Sequence, residues 1–373
     1  MKILFLVFHG FDEFNGISKK ILSQVNALKE NGHEVIVCYY MVDKDNHRKR
    51  FINSDILEDF GEGFFAQLKR RMCYNSLLNY IIYNNIELVY IRSELNANPF
   101  LVSFFRKLKA NRVKVVIEIP TYPYDKEYKY KSIKASLEHY IDILFRKQLV
   151  KQTNGVVTFS NHSTIFGGKA INISNGINFS SIKAKLGVND TTKSLNLIGV
   201  ANIHFWHGFD RLIKGLAIYY KTERQYKVYF HIVGGIGYIE EAEFKDLIKT
   251  NNLEKYVFLD GHKFGDELDK MFTKCDMGIG SLARHRSNIF DIKTLKNREY
   301  AARGIPFIYS ETDDDFDNMP YVLKIPADES PIDVNSVIDF YKKCDLNPIK
   351  IRETTKELSW NIQMEKVVNQ ITK

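Results

Sequence analysis

Two spacings of apolar residues alternate along the chain. Short continuous runs, KILFLVF at 2–8 being the first, have the length of buried strands. Between them lie stretches in which apolar residues recur three and four apart, the period of a helix with one buried face. In the first such stretch, 18–30, the face is made by Ile21, Leu22, Val25 and Leu28, and Asn31-Gly32 ends it as helices commonly end. The same pattern predicts strands at 34–39, 88–91, 114–119, 155–160 and 170–173, and helices at 68–84, 99–109 and 134–151. Such alternation indicates a parallel sheet covered by helices.

A polar stretch at 180–194 reads as a linker, after which the pattern restarts. Strands are predicted at 195–200, 227–233, 257–259, 277–279 and 306–309, and helices at 208–221, 240–250, 266–275 and 294–303. The fold class is therefore α/β, with two Rossmann-like, doubly wound parallel-sheet domains at 1–187 and 188–355 facing across a cleft. A last helix, 356–373, is free to pack back on the first domain. Sheets of this kind bind ligands beyond the carboxyl ends of their strands. The length of 373 residues agrees, being too great for one typical core.

Composition changes this picture little. With 45% hydrophobic and 26% charged residues the chain is neither disordered nor fibrous. Its apolar runs fall well short of the ~20 residues of a membrane span. The start shows no signal-peptide core, and Cys38, Cys73, Cys275 and Cys344 have no paired spacing, so a cytoplasmic protein with reduced thiols is expected. Charge adds more. Residues 1–187 hold 27 Lys and Arg against 17 Asp and Glu, whereas the rest holds 26 against 28. The basic half either faces something anionic, an inner membrane surface among the options, or is a Lys-rich solvated surface. The helix at 134–151 poses the same choice. Leu137, Tyr140, Ile141, Leu144, Phe145 and Leu149 run among Lys134, Arg146, Lys147 and Lys151, and a core face with a basic rim is favoured over a membrane-lying helix. The Arg48-Lys49-Arg50 and Arg70-Arg71 clusters are read likewise.

The candidate chemistry concentrates at 281–310, SLARHRSNIFDIKTLKNREYAARGIPFIYS. Asp291 and Glu299 have seven residues between them, and a carboxylate beside a strand-to-helix loop can accept bonds from ribose or sugar hydroxyls. Free amides near Thr294 and Leu295, at a predicted helix start, suit a diphosphate. Arg284, Arg286, Lys293 and Lys296 add positive charge. Asp313-Asp314-Asp315 has a D-x-D spacing, read as a solvated acidic loop in preference to a metal site. Gly235-Ile236-Gly237 reads as a turn, and the ten histidines show no metal-ligand spacing.

This arrangement resembles the retaining GT-B glycosyltransferases of the family 4 type, in which a Glu, seven residues and a Glu precede a small-residue helix ending in Gly-x-Pro, although the first Glu is here an Asp, one methylene shorter. Here Asp291, Glu299 and YAARGIPFI correspond. Further matches follow in order: Asn15-Gly16-Ile17, Asn31-Gly32-His33-Glu34-Val35, Ser174-Asn175-Gly176-Ile177-Asn178, Ile232-Val233-Gly234-Gly235, and Cys275-Asp276 through Ser281. WHGFDRLIKGL and LKNREYAARGIPFI look most like a subset from bacterial capsule and surface-polysaccharide biosynthesis.

The resemblance implies that Glu299 holds the nucleotide ribose, Asp291 the donor-sugar hydroxyls, and Gly16 a close approach to the sugar phosphate. Arg286 and Lys293, with Thr294 and Leu295, are the candidates for the diphosphate. The family's Arg and Lys after the first strand of the second domain are replaced by Val200-Ala201 and His207-Gly208, leaving His207 as a pH-dependent substitute. An acceptor-side His is absent, and Thr121 and Tyr122 stand there instead. The implied activity is transfer of a sugar, with retention and without a metal or cofactor, from a nucleotide-diphosphate sugar to a glycan or lipid-linked acceptor. Nucleic acid is not expected as a partner. A GT-B sugar-nucleotide epimerase and a catalytically silent nucleotide-sugar- or glycan-binding subunit remain alternatives.

Overall fold

The computed structural model describes residues 1–12, 16–94, 96–125, 133–344 and 347–372. They form two compact units, Met1–Ser174 with Trp360–Lys373, and Asn175–Ser359. Asn15, part of the glycine-loop match, lies outside the described residues.

The first unit is built on the strands β1 (Lys2–Leu6), β2 (Glu34–Val42), β3 (Arg48–Ile52), β4 (Asp55–Asp59), β5 (Leu88–Arg92), β6 (Lys114–Ile119), β7 (Gly155–Thr158), β8 (Thr164–Ile165) and β9 (Gly168–Asn172). Their order in the sheet is β4-β3-β2-β1-β5-β6-β7-β9-β8. All pair in parallel except β2–β3, β3–β4 and β8–β9. The helices are α1 (Gly16–Glu30), α2 (Gly63–Met72), α3 (Asn75–Tyr83), α4 (Pro99–Ala110) and α5 (Ile133–Val150). Both faces of the sheet are covered, which is why its strands read as unbroken apolar runs. Leu4 and Leu6 point into the cluster beneath α3 and α4, while Ile3 and Phe5 point into the one beneath α1. The last helix of the chain buries Trp360, Met364 and Val367 in that second cluster, beside Ile21 and Val25.

Three details depart from the sequence reading. Arg50 is fully buried on the β3–β4 hairpin, donating to Tyr40 Oη (2.8 Å), to the Glu58 carboxylate and to the Cys73 carbonyl (2.7 Å). It is an internal clamp, not a surface cation. Its bond to the Cys73 carbonyl also holds the break that divides the predicted helix 68–84 into α2 and α3. On α5, the expected core stripe is split: Leu149 is buried and Phe145 packs on the core, whereas Leu137, Tyr140 and Leu144 are exposed.

The second unit holds β10 (Ser194–Val200), β11 (Lys227–Val233), β12 (Val257–Gly261), β13 (Met277–Ile279), β14 (Phe307–Tyr309) and β15 (Val322–Lys324), in the all-parallel order β12-β11-β10-β13-β14-β15. Its helices are α6 (Phe209–Tyr219), α7 (Tyr238–Thr250), α8 (Gly265–Lys274), α9 (Leu295–Arg303), α10 (Val334–Lys343) and α11 (Pro348–Glu353), and α12 (Trp360–Thr372) is the last helix already placed in the first unit. The polar stretch read as a linker lies against this sheet, with Asn189 Nδ2 donating to Asp276 at 2.7 Å.

Candidate active site

From β10 the chain steps to β11 and β12 on one side, then returns to lay β13, β14 and β15 on the other. The loops leaving β10 and β13 therefore part at the carboxyl edge of the sheet, the switch point at which open α/β sheets bind ligands. Tyr300 of α9 ties the two strands together there. Its hydroxyl accepts from Val200 N–H (3.2 Å) and donates to the Ile279 carbonyl (2.9 Å).

The loop after β10 closes in a 3-10 turn, Phe205–His207, followed by Gly208 in the left-handed region at φ 65°. A Cβ on Gly208 would stand 2.6 Å from Ala283 Cβ and 2.9 Å from Ala283 N, so only glycine lets the two loops touch. The contact is a bond from Leu282 N–H to the His207 carbonyl, 2.8 Å. Arg284, in the 3-10 turn Arg284–Ser287, lays its guanidinium over Trp206 at 5.3 Å.

Beneath these loops lies a cluster of buried polar groups at the start of α9. Thr294 is the N-cap residue, yet its side chain caps nothing, and its buried Oγ1 makes no hydrogen bond. The first amides of α9 have no intrahelical acceptor by helix geometry, and they carry the positive end of the helix dipole. Lys296 Nζ is likewise buried and without a hydrogen-bond partner, 5.9 Å from the Phe209 ring centroid. Ser281 Oγ, Asn297 Oδ1 and the Glu311 carboxylate complete the unpartnered set. Burial, reinforced by the Arg284 charge, lowers Lys296 to about 7, against the opposing pull of Glu311. Burial raises Glu311 to about 7 in turn. Buried polar groups normally find partners inside the protein, so a set left open at a switch point suits an anionic, hydroxyl-bearing ligand.

The structure brings Asp291, Lys293, Thr294, Leu295, Glu299, Arg286 and His207 to the switch-point side of this unit, but in different states. Asp291 forms a parallel bridge with Thr312 past the end of β14, fixed by Ile292 N–H to the Thr312 carbonyl at 3.0 Å. Glu299 is partly exposed and accepts from Arg303 Nε (3.0 Å) and Nη2 (2.8 Å); Arg303 also donates to Asp269 at 2.8 Å.

Three diphosphate candidates are altered by what surrounds them. Arg286 grips both Asp210 oxygens at 2.9 Å, both Glu329 oxygens, and the Phe205 carbonyl at 2.9 Å, which engages its whole fork and leaves nothing for a phosphate. Lys293 Nζ is drawn 3.4 Å from Asp315. His207 is buried, and its Nδ1 accepts from His204 N–H at 2.9 Å. Burial, then the Lys296 and Arg284 charges, hold its imidazole well below the usual range. It is a neutral Nε2–H donor at physiological pH, not a replacement cation. Arg286→Ala is therefore expected to cost about 1–3 kcal/mol of stability, because buried Asp210 loses both guanidinium bonds and keeps only Lys214, 3.0 Å away. Denaturant melts would show this, with nucleotide affinity unchanged.

Gly16, Thr121 and Tyr122 belong to the first unit. Gly16 opens α1, exposed and with nothing within 4 Å of a Cβ. Thr121 and Tyr122 follow β6, the Tyr122 ring lying 4.9 Å from His162 and 5.2 Å from Phe166. The acidic run 313–315 is not a solvated loop. Asp313 is fully buried, Arg298 holds both Asp313 and Asp315, and Asn297 Nδ2 adds a bond to Asp313 at 3.2 Å. Residues the sequence reading passed over are Trp206, Ser281, Asn297 and Glu311. For Glu311 a signal existed, since an acid just past a buried strand in an α/β unit stands at the ligand edge.

No family model and no curated protein matches the chain. Solved structures do match over its whole length. The second unit's switch-point site and the first unit's doubly wound sheet together define the GT-B fold of glycosyltransferases. The Anabaena Alr3699/HepE protein, solved with UDP, is similar at 14% identity and TM-score 0.63, with 100% of each chain covered. A glycosyltransferase from Rickettsia africae matches at 14% and 0.63, covering 100% of this chain and 97% of its own. An E. coli structure described as trehalose-6-phosphate bound with UDP-2-fluoro glucose matches at 11% and 0.61, covering 100% and 99%.

Proposed function

We propose that the protein is a glycosyltransferase that moves a sugar from a nucleotide-diphosphate donor to a hydroxyl of a bacterial surface glycan or lipid-linked glycan intermediate. The observation that carries this reading is the cluster of buried, unpartnered polar groups at the switch point, Thr294 Oγ1 and Lys296 Nζ beside the α9 amides, with Asp291 and Arg284 alongside. A fold similar to UDP-bound structures supports it. The donor diphosphate sits on the α9 amides, Lys296 and Arg284, with His207 Nε2–H as a neutral donor. Asp291 orients sugar hydroxyls, and Glu299 binds the ribose as the family 4 resemblance suggests. Thr121 and Tyr122 are assigned to the acceptor side.

Transfer breaks the C1–oxygen bond to the diphosphate and forms one to the acceptor oxygen on the same face, which retains configuration. The acceptor proton passes to the departing phosphate oxygen. Negative charge grows on that leaving group, and donors fixed before the reaction stabilise it without reorganisation. No metal is assigned, because the acidic run already serves Arg298 and Lys293.

Thermal stabilisation by UDP-, GDP-, ADP-, dTDP- and CMP-sugars tests the donor site. A ligand at 100 times its Kd adds about 2.7 kcal/mol to the native state. One nucleotide class is expected to stabilise wild type and to lose that effect in Glu299→Ala. No shift with any donor would overturn the reading. A second reading, a silent nucleotide-sugar-binding subunit, is favoured by the internal pairing of Arg286 and Lys293. Donor binding without turnover on any acceptor would select it.

A further inference from the structure

Part of the apolar stripe of α5 faces outward, and a second stripe lies beside it. On α5, Ile133, Leu137, Tyr140 and Leu144 fall at positions i, i+4, i+7 and i+11, a single helix face, and Tyr140 is 60% exposed. On α2, Phe64, Phe65, Leu68 and Met72 share a face, with Phe65 75% exposed and only Ala66 buried. The two helices touch: Arg71 Nη1 of α2 lies 3.0 Å from Glu138 of α5. Together they present an apolar surface that no described residue covers.

The exposed charges on the two helices are basic. No acidic residue lies on α2. Of the two on α5, Glu138 is paired with Arg71 at the surface, and Asp142 turns into the core, where it accepts from Tyr124 Oη (2.6 Å) and Ala97 N–H (3.1 Å). What remains exposed is Lys69, Lys134, Lys147 and, just beyond α5, Lys151; the acids at the edge are Glu62, ahead of α2, and Asp125, which pairs with His139 and Arg146 of α5.

We propose that the joined outer faces of α2 and α5 rest on an anionic lipid bilayer, phenyl and leucyl side chains entering the headgroup layer and the lysines meeting lipid phosphates. Charge complementarity selects this occupant. Lysine is depleted in protein–protein interfaces, whereas interfacial membrane helices combine aromatic and aliphatic stripes with a Lys- and Arg-rich polar face. The contact is peripheral, since among the described residues no helix is long and apolar enough to cross a membrane. It requires no donor and stands apart from the proposed chemistry.

Co-sedimentation of the full chain with vesicles tests it. Vesicles of phosphatidylcholine with about one third phosphatidylglycerol are expected to bind wild type at least ~10-fold better than phosphatidylcholine alone. The double substitutions F64S/F65S and L137S/Y140S are each expected to lower partitioning ~10-fold or more. Because these side chains are exposed, both variants should melt at the wild-type temperature. K134E/K147E should remove the salt-sensitive part of binding while keeping the apolar stripe, so it reports even if a serine variant fails to fold. Wild type left in the supernatant with both vesicles would overturn the proposal, as would binding indifferent to all three double variants. So would a dimer in vesicle-free solution that F64S/F65S abolishes, which would show a second copy covering the face.

Discussion

Lys296→Met is expected to weaken binding of the donor nucleotide by about 1.5–3 kcal/mol, the worth of a charged hydrogen bond, while leaving the fold as stable as before or more so. The two effects have one cause. The Lys296 ammonium is buried without a hydrogen-bond partner, so the free protein carries a desolvation cost that a bound diphosphate would relieve. Methionine keeps the unbranched stem near Phe209 and removes the charge. Titration calorimetry with the nucleotide that stabilises wild type, beside denaturant melts, reads both quantities. Unchanged affinity would remove Lys296 from the diphosphate site.

The same pair sets the pH dependence. Between the unfolded value of Glu311, roughly 4.3, and its folded value, the native state keeps a proton that the unfolded chain has lost, so stability falls as pH rises. Above about 7 and up to roughly 10.4, the unfolded chain keeps the Lys296 proton that the native state has released, so stability rises. The free protein should therefore show a stability minimum near neutrality. Lys296→Met flattens the alkaline limb, and Glu311→Gln flattens the acid limb. A diphosphate restores the charge on Lys296, so binding near pH 7 should take up protons. Calorimetry in buffers of different ionisation enthalpy measures that uptake.

Much of this arrangement was legible in the chain, and the misses share a physical origin. Strands buried on both faces announce themselves as apolar runs, and β6, β11 and β13 begin and end where those runs do. The start of α9 was equally readable, because Thr294 precedes a periodic stretch that closes at Gly304. What periodicity does not encode is the partner of a charge. Arg286 and Lys296 are both cations near one helix start. Only the fold carries Asp210 and Glu329 to the first and leaves the second unpaired. Asp313 and Asp315 read as a solvated run for the same reason, since their counterion, Arg298, is on another element. The α5 stripe fails differently. An amphipathic helix specifies a wet face and a dry face, but its sequence does not say whether the dry face meets the protein's own core or something outside it.

Arg298→Ala is expected to cost about 3–5 kcal/mol, the range for breaking a buried pair and leaving its partner uncompensated. Arg298 is 1% exposed, and its fork reaches both Asp313 and Asp315 while Nη1 donates to the Thr294 carbonyl at 3.1 Å. Arg298→Lys should recover little, because a single ammonium cannot span two carboxylates and a carbonyl. Burial already holds Asp313 above the ordinary carboxylate range, even with Arg298 beside it. Without that cation its native-state value rises further. The unfolded value is common to both proteins, so the deficit of the variant should grow as pH rises through the native-state value of Asp313, above the ordinary carboxylate range. Adding Asp313→Asn to Arg298→Ala should return part of the loss, giving a double-mutant coupling that a simple packing role would not produce. The bond to Thr294 extends the consequence to chemistry. Arg298 joins the loop after β14, which carries Glu311, to the first turn of α9, which carries Lys296. Releasing it lets the two halves of the cluster move apart, so turnover should fall even at temperatures where the variant remains folded.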